Sequence, residues 1–481
     1  MARLFDPTPE HAALRDMVRR FADEQVRPQA AAHDRAERFN LDLFRQLGDL
    51  GLLGVTVAER FGGAELDAVA ACIVHEELSA ADPGFALAYL AHAILFANNL
   101  DKNGDDAQRA RILPLACEGK LVGGMAMSEP DAGTDVLGMS TTARREGDEY
   151  VLDGAKMWIT NGAISDGELG DVFLVYARMA GAARNELSMF IVEKGMPGFG
   201  LGQKIHDKLG MRASPTAELV FDGCRVPEAN RVGSEGSAAL HMMRNLELER
   251  LTLGAMSLGI ARRSIEVMNA YARDRKSFGQ SLNHFGQVQR HLAESYAEYM
   301  AGRSYVYATA SEIDIDVPGH RLDSDGVKLY CSTMAKNVAD RAIQVLGGYG
   351  YVGTYKSVTR SVDGLTGTAD PTLFATEAYD FSSYRFTVKP GTYTVRLHLK
   401  VGYEPGAKPD VFVVDLDLEG KRVLDKADLF LLGDSDFKRA VVREFPGIAV
   451  TDGVLDLDFG VVAGHSSTPR LCNAIEIIPE K

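Results

Sequence analysis

A chain of 481 residues is too long for one compact core and divides into two to four domains. With 46% apolar and 25% charged residues it is not a disordered chain, and its net charge of −15 argues against an extended nucleic-acid or anionic-membrane surface. Five scattered cysteines (Cys72, Cys117, Cys224, Cys331 and Cys472) include no C-x-x-C pair, and no apolar run reaches the roughly 18–20 residues of a membrane span. Together these features predict a cytoplasmic protein with reduced thiols and neither a disulfide framework nor a metal site.

The first part is helical. In residues 8–34, Leu14, Met17, Val18, Phe21 and Val26 approximate helical spacing, and Pro9 suits a first turn. A second helix is predicted over 41–51, ending at Gly51. A third spans about 65–81, where ELDAVAACIVHEEL is apolar on more than one side and is therefore expected to be deeply packed. Residues 1–118 are read as one helical domain. From 119 to 228 the chain turns to short β-branched and aromatic runs broken by glycine (YVLDGAKMWITNG, DVFLVYARM, ELSMFIVEKG), which predicts a small β domain. Long helices return over 229–355. After a junction at 356–365, residues 366–481 read as an all-β sandwich: in YTVRLHLKV, Tyr393, Val395, Leu397, Leu399 and Val401 alternate with Thr394, Arg396, His398 and Lys400. The predicted class is multidomain α+β.

Two short stretches in the β domain invite a chemical reading. In AMSEPDAGTD, residues 126–135, the turn around Pro130 and Gly133 leaves backbone N–H groups and the hydroxyls of Ser128 and Thr134 able to hold oxyanions or polar ring edges. An acidic turn between strands is the alternative. In KMWITNG, residues 156–162, the sole tryptophan, Trp158, stands two residues before Thr160. On a strand these two share a face, so an aromatic plate and a hydroxyl can address one ligand, unless Trp158 is simply core. At 348–353, GYGYVG matches the spacing G-x-G-x-x-G. It follows the helical run ADRAIQVL rather than a strand, so its glycines are read as ending that helix, not as a dinucleotide fingerprint.

Taken in order, AMSEPDAGTD, GAKMWITNG, KLGMRAS, FDGCRVP, DRKSFGQ and QVLGGYG resemble the acyl-CoA dehydrogenase family from the amino terminus to about Tyr355. The resemblance implies an FAD enzyme that oxidises an acyl-CoA thioester to its α,β-enoyl form and passes electrons to an electron-transferring flavoprotein. By position, Met127 and Ser128 are expected at the flavin's pyrimidine edge, with Gly133 beside them, and Thr134 at the diphosphate. Trp158 would flank the ring and Thr160 would lie near N5. Arg275, Ser277 and Phe278, with Gln344 and Gly348, resemble positions that reach a neighbouring subunit's FAD, which implies a homo-oligomer, a tetramer or dimer. Gln287 is the substitute for a cofactor-binding glutamine that many relatives place where Gly286 stands. The chemistry needs a desolvated carboxylate to take a weakly acidic α-proton. LELER, residues 246–250, resembles the stretch that supplies it in isovaleryl-CoA dehydrogenases, which points to Glu249. Glu247 is the competitor, but residues two apart on a helix point about 200° apart, so only one can face the flavin. Arg250 is expected on the substrate side, with a structural ion pair as the alternative.

Beyond Gly353 the family's last helical segment and its glycine–threonine turn are replaced, so the helical bundle is expected to lack its usual last segment; TGT at 366–368 is too short to stand for that turn. The segment from DPTLFATEAYDF onward resembles part of a malectin-like carbohydrate-binding domain, over about 366–481. Tyr379 and Tyr403 lie near that family's aromatic ligand positions, where stacking on a sugar competes with core or rim packing. Ser467 or Thr468 stands where it has an acidic residue. Two other readings remain: a binding or structural chimera whose dehydrogenase part holds no flavin, and an acyl-CoA oxidase with O₂ as acceptor.

Overall fold

The computed structural model describes residues 2–184, 186–317, 319, 321–352, 356–359, 376–379, 383–400, 409, 413–433, 435, 439–462 and 471–480. Gly353, Tyr403, Ser467, Thr468 and the TGT stretch at 366–368 lie outside them. The chain forms two compact units, Met1–Gly347 and Gly348–Lys481.

In the first unit, Thr8 caps α1 (Pro9–Phe21) by accepting from His11 N, with proline in the first turn, where its missing N–H costs nothing. The helix expected over 8–34 continues through a π-helical turn, Ala22–Val26, into α2 (Arg27–Ala36). Asn40, Asp67 and Asp82 cap α3 (Leu41–Asp49), α4 (Ala68–Ala81) and α5 (Pro83–Leu90) in the same way. A π-helical stretch, Ala91–Asn98, follows α5, and a reciprocal Asp105–Gln108 capping box opens α6 (Asp106–Cys117). Helix α4 is buried almost all round, as its composition predicts, and the burial includes Glu76 and Glu77.

Those two carboxylates are tolerated because cations meet them. Glu76 accepts from Arg15 at 2.9 Å, Tyr307 at 2.6 Å and Tyr299 at 3.1 Å, and lies 3.1 Å from Arg303. Glu77 accepts from Arg15 at 2.7 Å, Arg19 at 2.9 Å and Arg262 at 2.6 Å. Burial works to raise the Glu77 carboxyl, but the Arg262 and Arg19 hydrogen bonds hold it well below the usual carboxylate range.

The β domain is a sheet in the order β8-β5-β4-β2-β3-β7-β6, with β1 also on β4. Its strands are β1 (Gly123–Ala126), β2 (Thr142–Glu146), β3 (Glu149–Thr160), β4 (Val172–Met179), β5 (Leu187–Glu193), β6 (Phe199–Lys204), β7 (Thr216–Pro227) and β8 (Arg231–Val232). Three long helices complete the unit: α7 (Ala238–Asp274), α8 (Gly286–Glu312) and α9 (Arg321–Leu346). Helices α4 and α7 cross so closely at Gly259 that a Cβ there would lie 2.3 Å from the Glu76 carbonyl. Gly347, at φ 59°, ends α9 by donating to the Ile343 carbonyl, so the helix stop falls one residue before the GYGYVG stretch. No described helix is long and apolar enough to cross a membrane, all five cysteines are buried free thiols, and no metal-ligating cluster occurs among the described residues.

The second unit opens with a five-residue helix, Gly348–Val352. The expected junction carries a strand, β9 (Lys356–Thr359), paired with β10 (Thr376–Tyr379), which in turn pairs with β17 (Leu471–Cys472). The four-stranded sheet is β11 (Ser383–Thr387), β16 (Val454–Val461), β13 (Val413–Leu418) and β14 (Lys421–Asp428), in that spatial order. A second sheet pairs β12 (Gly391–Leu399) with both β15 (Val441–Val450) and β18 (Ala474–Pro479). Val395 and Leu397 of β12 share one core with Leu416 of β13 and Leu457 of β16, which makes the unit a β-sandwich. The predicted wet face of β12 is only partly wet. His398 and Lys400 are buried, and Glu476 on β18 pairs with both Arg396 and His398.

Glu77→Gln leaves buried guanidinium charge unmatched and is expected to cost about 3–5 kcal/mol, read from the denaturation midpoint of the purified protein. A midpoint unchanged within error would show that the cluster does not hold α1, α4 and α7 together.

Candidate active site

The segment 127–141 is an excursion from one side of the interior strand β4, which pairs there first with β1 and then with β2. The chain leaves β4 after Ala126, opposite Val175, and returns at Thr142, opposite Arg178. With both ends pinned to one strand, the intervening residues must loop outward. Glu129 closes the loop: its backbone exchanges two hydrogen bonds with Ala132, and its buried carboxylate accepts from Ser140 N at 2.6 Å, Ser140 Oγ at 2.7 Å and Thr141 N at 2.9 Å. A fourth bond, at 2.9 Å, comes from the buried ammonium of Lys156 on β3, which also donates to the Met127 carbonyl. Although burial opposes it, Lys156 holds the Glu129 carboxyl down at about 2, so the carboxylate is ionised throughout the neutral range, while burial pulls the Lys156 ammonium down to about 8 against the field of Glu129.

This pair joins the two motifs read from the sequence. Met157 N donates to Ser128 O at 2.9 Å, and the β3–β7 register slips between Lys156 and Ile159. The slip forms a bulge that puts Trp158 at φ 60°, an uncommon conformation for a bulky residue, with its side chain 53% exposed. Trp158 is therefore not core. Ile159 is buried between the exposed Trp158 and the half-buried Thr160. Gly133 and Thr134 are exposed, with open space where a Gly133 Cβ would stand. The hydroxyls of Ser128, Thr134 and Thr160 make no hydrogen bond among the described residues, which leaves them available to a ligand. Met127 packs on the same apolar cluster as Leu246 of α7, three residues before Glu249.

Glu249 is half-buried, and no donor reaches its carboxylate among the described residues. Burial pushes the carboxyl up to about 7 against the opposing fields of Arg250 and Lys328. Glu247, on the other side of α7, accepts from Gly319 N at 3.1 Å and so holds the chain between α8 and α9. One turn before Glu249, Asn245 donates to the Ile94 carbonyl at 2.9 Å, a group within the π-helical stretch. Arg250 forms an ion pair with Asp325 on α9 at 2.9 Å.

The remaining predicted residues stand elsewhere. Arg275, Ser277 and Phe278 follow the C-terminus of α7, in or beside a short hairpin (Lys276–Ser277 with Gln280–Ser281). Gln287 opens α8 and Gln344 lies in the last turn of α9. At 1.5 Å per residue, Arg275 lies about 40 Å from Glu249 along α7, too far for one bound ring to touch both. Arg275, Gln287 and Gln344 are exposed, and Phe278, at φ 49°, is 94% exposed. Gly348 belongs to the second unit. The sequence reading missed Lys156, Glu129 and Asn245. A charged residue inside the apolar alternation of β3 was the available signal for Lys156; no local pattern marks Asn245.

Lys156→Met strands a buried carboxylate and is expected to cost about 3–5 kcal/mol in thermal or denaturant unfolding. Adding Glu129→Gln should recover part of that loss. A double variant no more stable than Lys156→Met alone would refute the pairing as the clasp of the loop.

Residues 8–120, 124–224 and 239–365 match the family models for the acyl-CoA dehydrogenase N-terminal, middle and C-terminal domains, and residues 335–470 match the malectin domain model. The last two matches overlap at 335–365, where α9 passes into the second unit. Mitochondrial isovaleryl-CoA dehydrogenase of Oryza sativa subsp. japonica is 41% identical over 355 residues, covering 73% of this chain and 85% of the relative. Butyryl-CoA dehydrogenase from Megasphaera elsdenii superposes with a TM-score of 0.68 at 31% identity, over 72% of this chain and 89% of that one. A structure described as the electron transferring flavoprotein of Acidaminococcus fermentans contains a chain that superposes with a TM-score of 0.68 at 33% identity, over 72% of this chain and 89% of that one. The chain belongs to the acyl-CoA dehydrogenase family and carries a malectin-like β-sandwich behind its dehydrogenase domains.

Proposed function

We propose that the protein introduces a double bond between the α and β carbons of an acyl-CoA thioester, with Glu249 as base and FAD as hydride acceptor. The Glu249 carboxylate carries this reading: desolvated, unpartnered and pushed up to about 7, it is poised to change protonation near neutrality.

The residues present suit a flavin. An exposed indole on a strained bulge offers a plate, three unpartnered hydroxyls offer polar contacts, and the open Gly133 position admits close approach of backbone to a ligand. FAD supplies, when bound, an acceptor at N5 for the hydride that leaves the β carbon. Met127 and Ser128 would hold its pyrimidine edge, Thr134 the diphosphate, and Trp158 and Thr160 the ring near N5. The Lys156–Glu129 pair keeps that loop in place. Glu249 takes the α-proton as the carbon–carbon double bond forms, then releases it to solvent. Arg250 would line the substrate side at its rim, where Asp325 holds it.

Arg275 lies about 40 Å along α7 from Glu249, and the exposure of Arg275, Phe278, Gln287 and Gln344 supports a shared site in which they, with Ser277, reach the cofactor of a second copy. Gly348 is assigned to that group by the resemblance alone. Electrons would pass to an electron-transferring flavoprotein, in keeping with the solved relative described under that name. For the second unit, the malectin match supports a carbohydrate ligand, with a structural appendage as the alternative; failure to bind any glucose-containing oligosaccharide on an array would leave the latter.

The purified protein should be yellow and should bleach under anaerobic conditions with short branched or straight acyl-CoAs. A chain that stays colourless after FAD is added is the flavin-free chimera, and peroxide release in air would make it an oxidase. Glu249→Gln should retain flavin and lose bleaching by at least 100-fold; loss in Glu247→Gln instead would move the base. Because the base must be ionised, kcat/KM should rise with pH through about 7. A profile flat from pH 5 to 8 would exclude Glu249.

A further inference from the structure

Arg250 presents a difficulty for the base beside it. A guanidinium next to a half-buried carboxylate with no other donor would be expected to pair with it, and such a pair lowers a carboxyl by roughly 1–3 units. The structure directs Arg250 elsewhere: its Nη1 lies 2.9 Å from Oδ1 of Asp325 on α9, and the other oxygen of that carboxylate lies 3.7 Å from Arg321, one turn earlier. Among the described residues, the charges acting on Glu249 are Arg250 on α7 and Lys328 on α9, with none from α4, α8 or the 91–98 stretch. Lys328 stands three residues after Asp325, so one face of α9 carries both the competing anion and the second cation.

We propose that Asp325 is a positioning residue for the Glu249 base, holding the Arg250 guanidinium and matching its charge so that the carboxylate stays free to accept a proton. The inference rests on the reading of Glu249 as base. Without Asp325, Arg250 loses its ion-pair partner and its charge acts unmatched on Glu249, so the ionised form of that group is favoured. The base becomes weaker while its ionisation moves to lower pH.

The test uses the full-length protein and two readouts. In anaerobic flavin bleaching, Asp325→Asn should move the acid limb of the pH profile down by about one unit and lower its plateau, and Asp325→Glu should restore both. The second readout needs neither cofactor nor turnover. A carboxyl raised in the folded state contributes stability that is present at low pH and lost as pH rises from its unfolded value, about 4.3, through about 7. Glu249→Gln should therefore gain in melting temperature over its parent as pH rises, levelling off near 7. In the Asp325→Asn background that gain should level off about one unit lower. If Asp325→Asn and Asp325→Glu depress melting alike while limb and levelling point stay put, Asp325 is only a staple between α7 and α9 and the inference is overturned. If Glu249→Gln still bleaches flavin, the base reading fails, and the levelling point still decides whether Asp325 sets the Glu249 carboxyl.

Discussion

The placement of Glu249 in the dehydrogenase unit depends on the register of α7, and the buried ion cluster around Glu76 and Glu77 sets that register. Arg262 of α7 must meet Glu77, while Gly259 must pass the α4 backbone where no side chain fits. A rotation of α7 by one residue, about 100°, would strand buried charge and drive a side chain into α4. With Arg262 fixed, Glu249 is fixed about thirteen residues earlier on the same rigid rod, on the side of the helix away from Glu247. The cluster also ties α1, α4, α7 and α8 to one another through Arg15, Arg19, Arg262 and Arg303, so the amino-terminal helices and the bundle form one body.

Burial is used in two opposite ways along this body. At Glu129 and Glu77, carboxylates out of water are matched by cations, and the reward is geometry: a loop clasped to β3 and a helix fixed against its neighbours. At Glu249 a carboxylate is half out of water and left unmatched, and the consequence is a proton affinity that rises toward neutrality. The difference lies in the neighbours. Lys156 can reach Glu129 from the adjacent strand, whereas Arg250 is held by Asp325.

The β domain and the bundle share one further device. Trp158 and Phe278 both sit at positive φ with exposed rings, at a bulge and at a two-residue turn respectively. Aromatic rings held outward on uncommon backbone conformations cost free energy and lose apolar contact.

The sequence by itself determined the order of architectures, because texture changes near residues 119, 229 and 356 reflect which periodicity buries apolar surface. It also determined the family and the candidate base, because LELER and the glycine-punctuated motifs are local strings. On periodicity alone it could separate Glu247 from Glu249 but not choose between them. Tertiary structure decided the matters that turn on distant residues meeting. The bulge that exposes Trp158 arises from β3–β7 register, and the clasp of the 126–135 motif from a lysine on another strand. Glu247 is occupied by a chain segment 72 residues away, and Arg250 is paired with Asp325 across two helices. Proton affinity, exposure and pairing depend on which groups share a desolvated volume, and the chain's linear order does not carry that information.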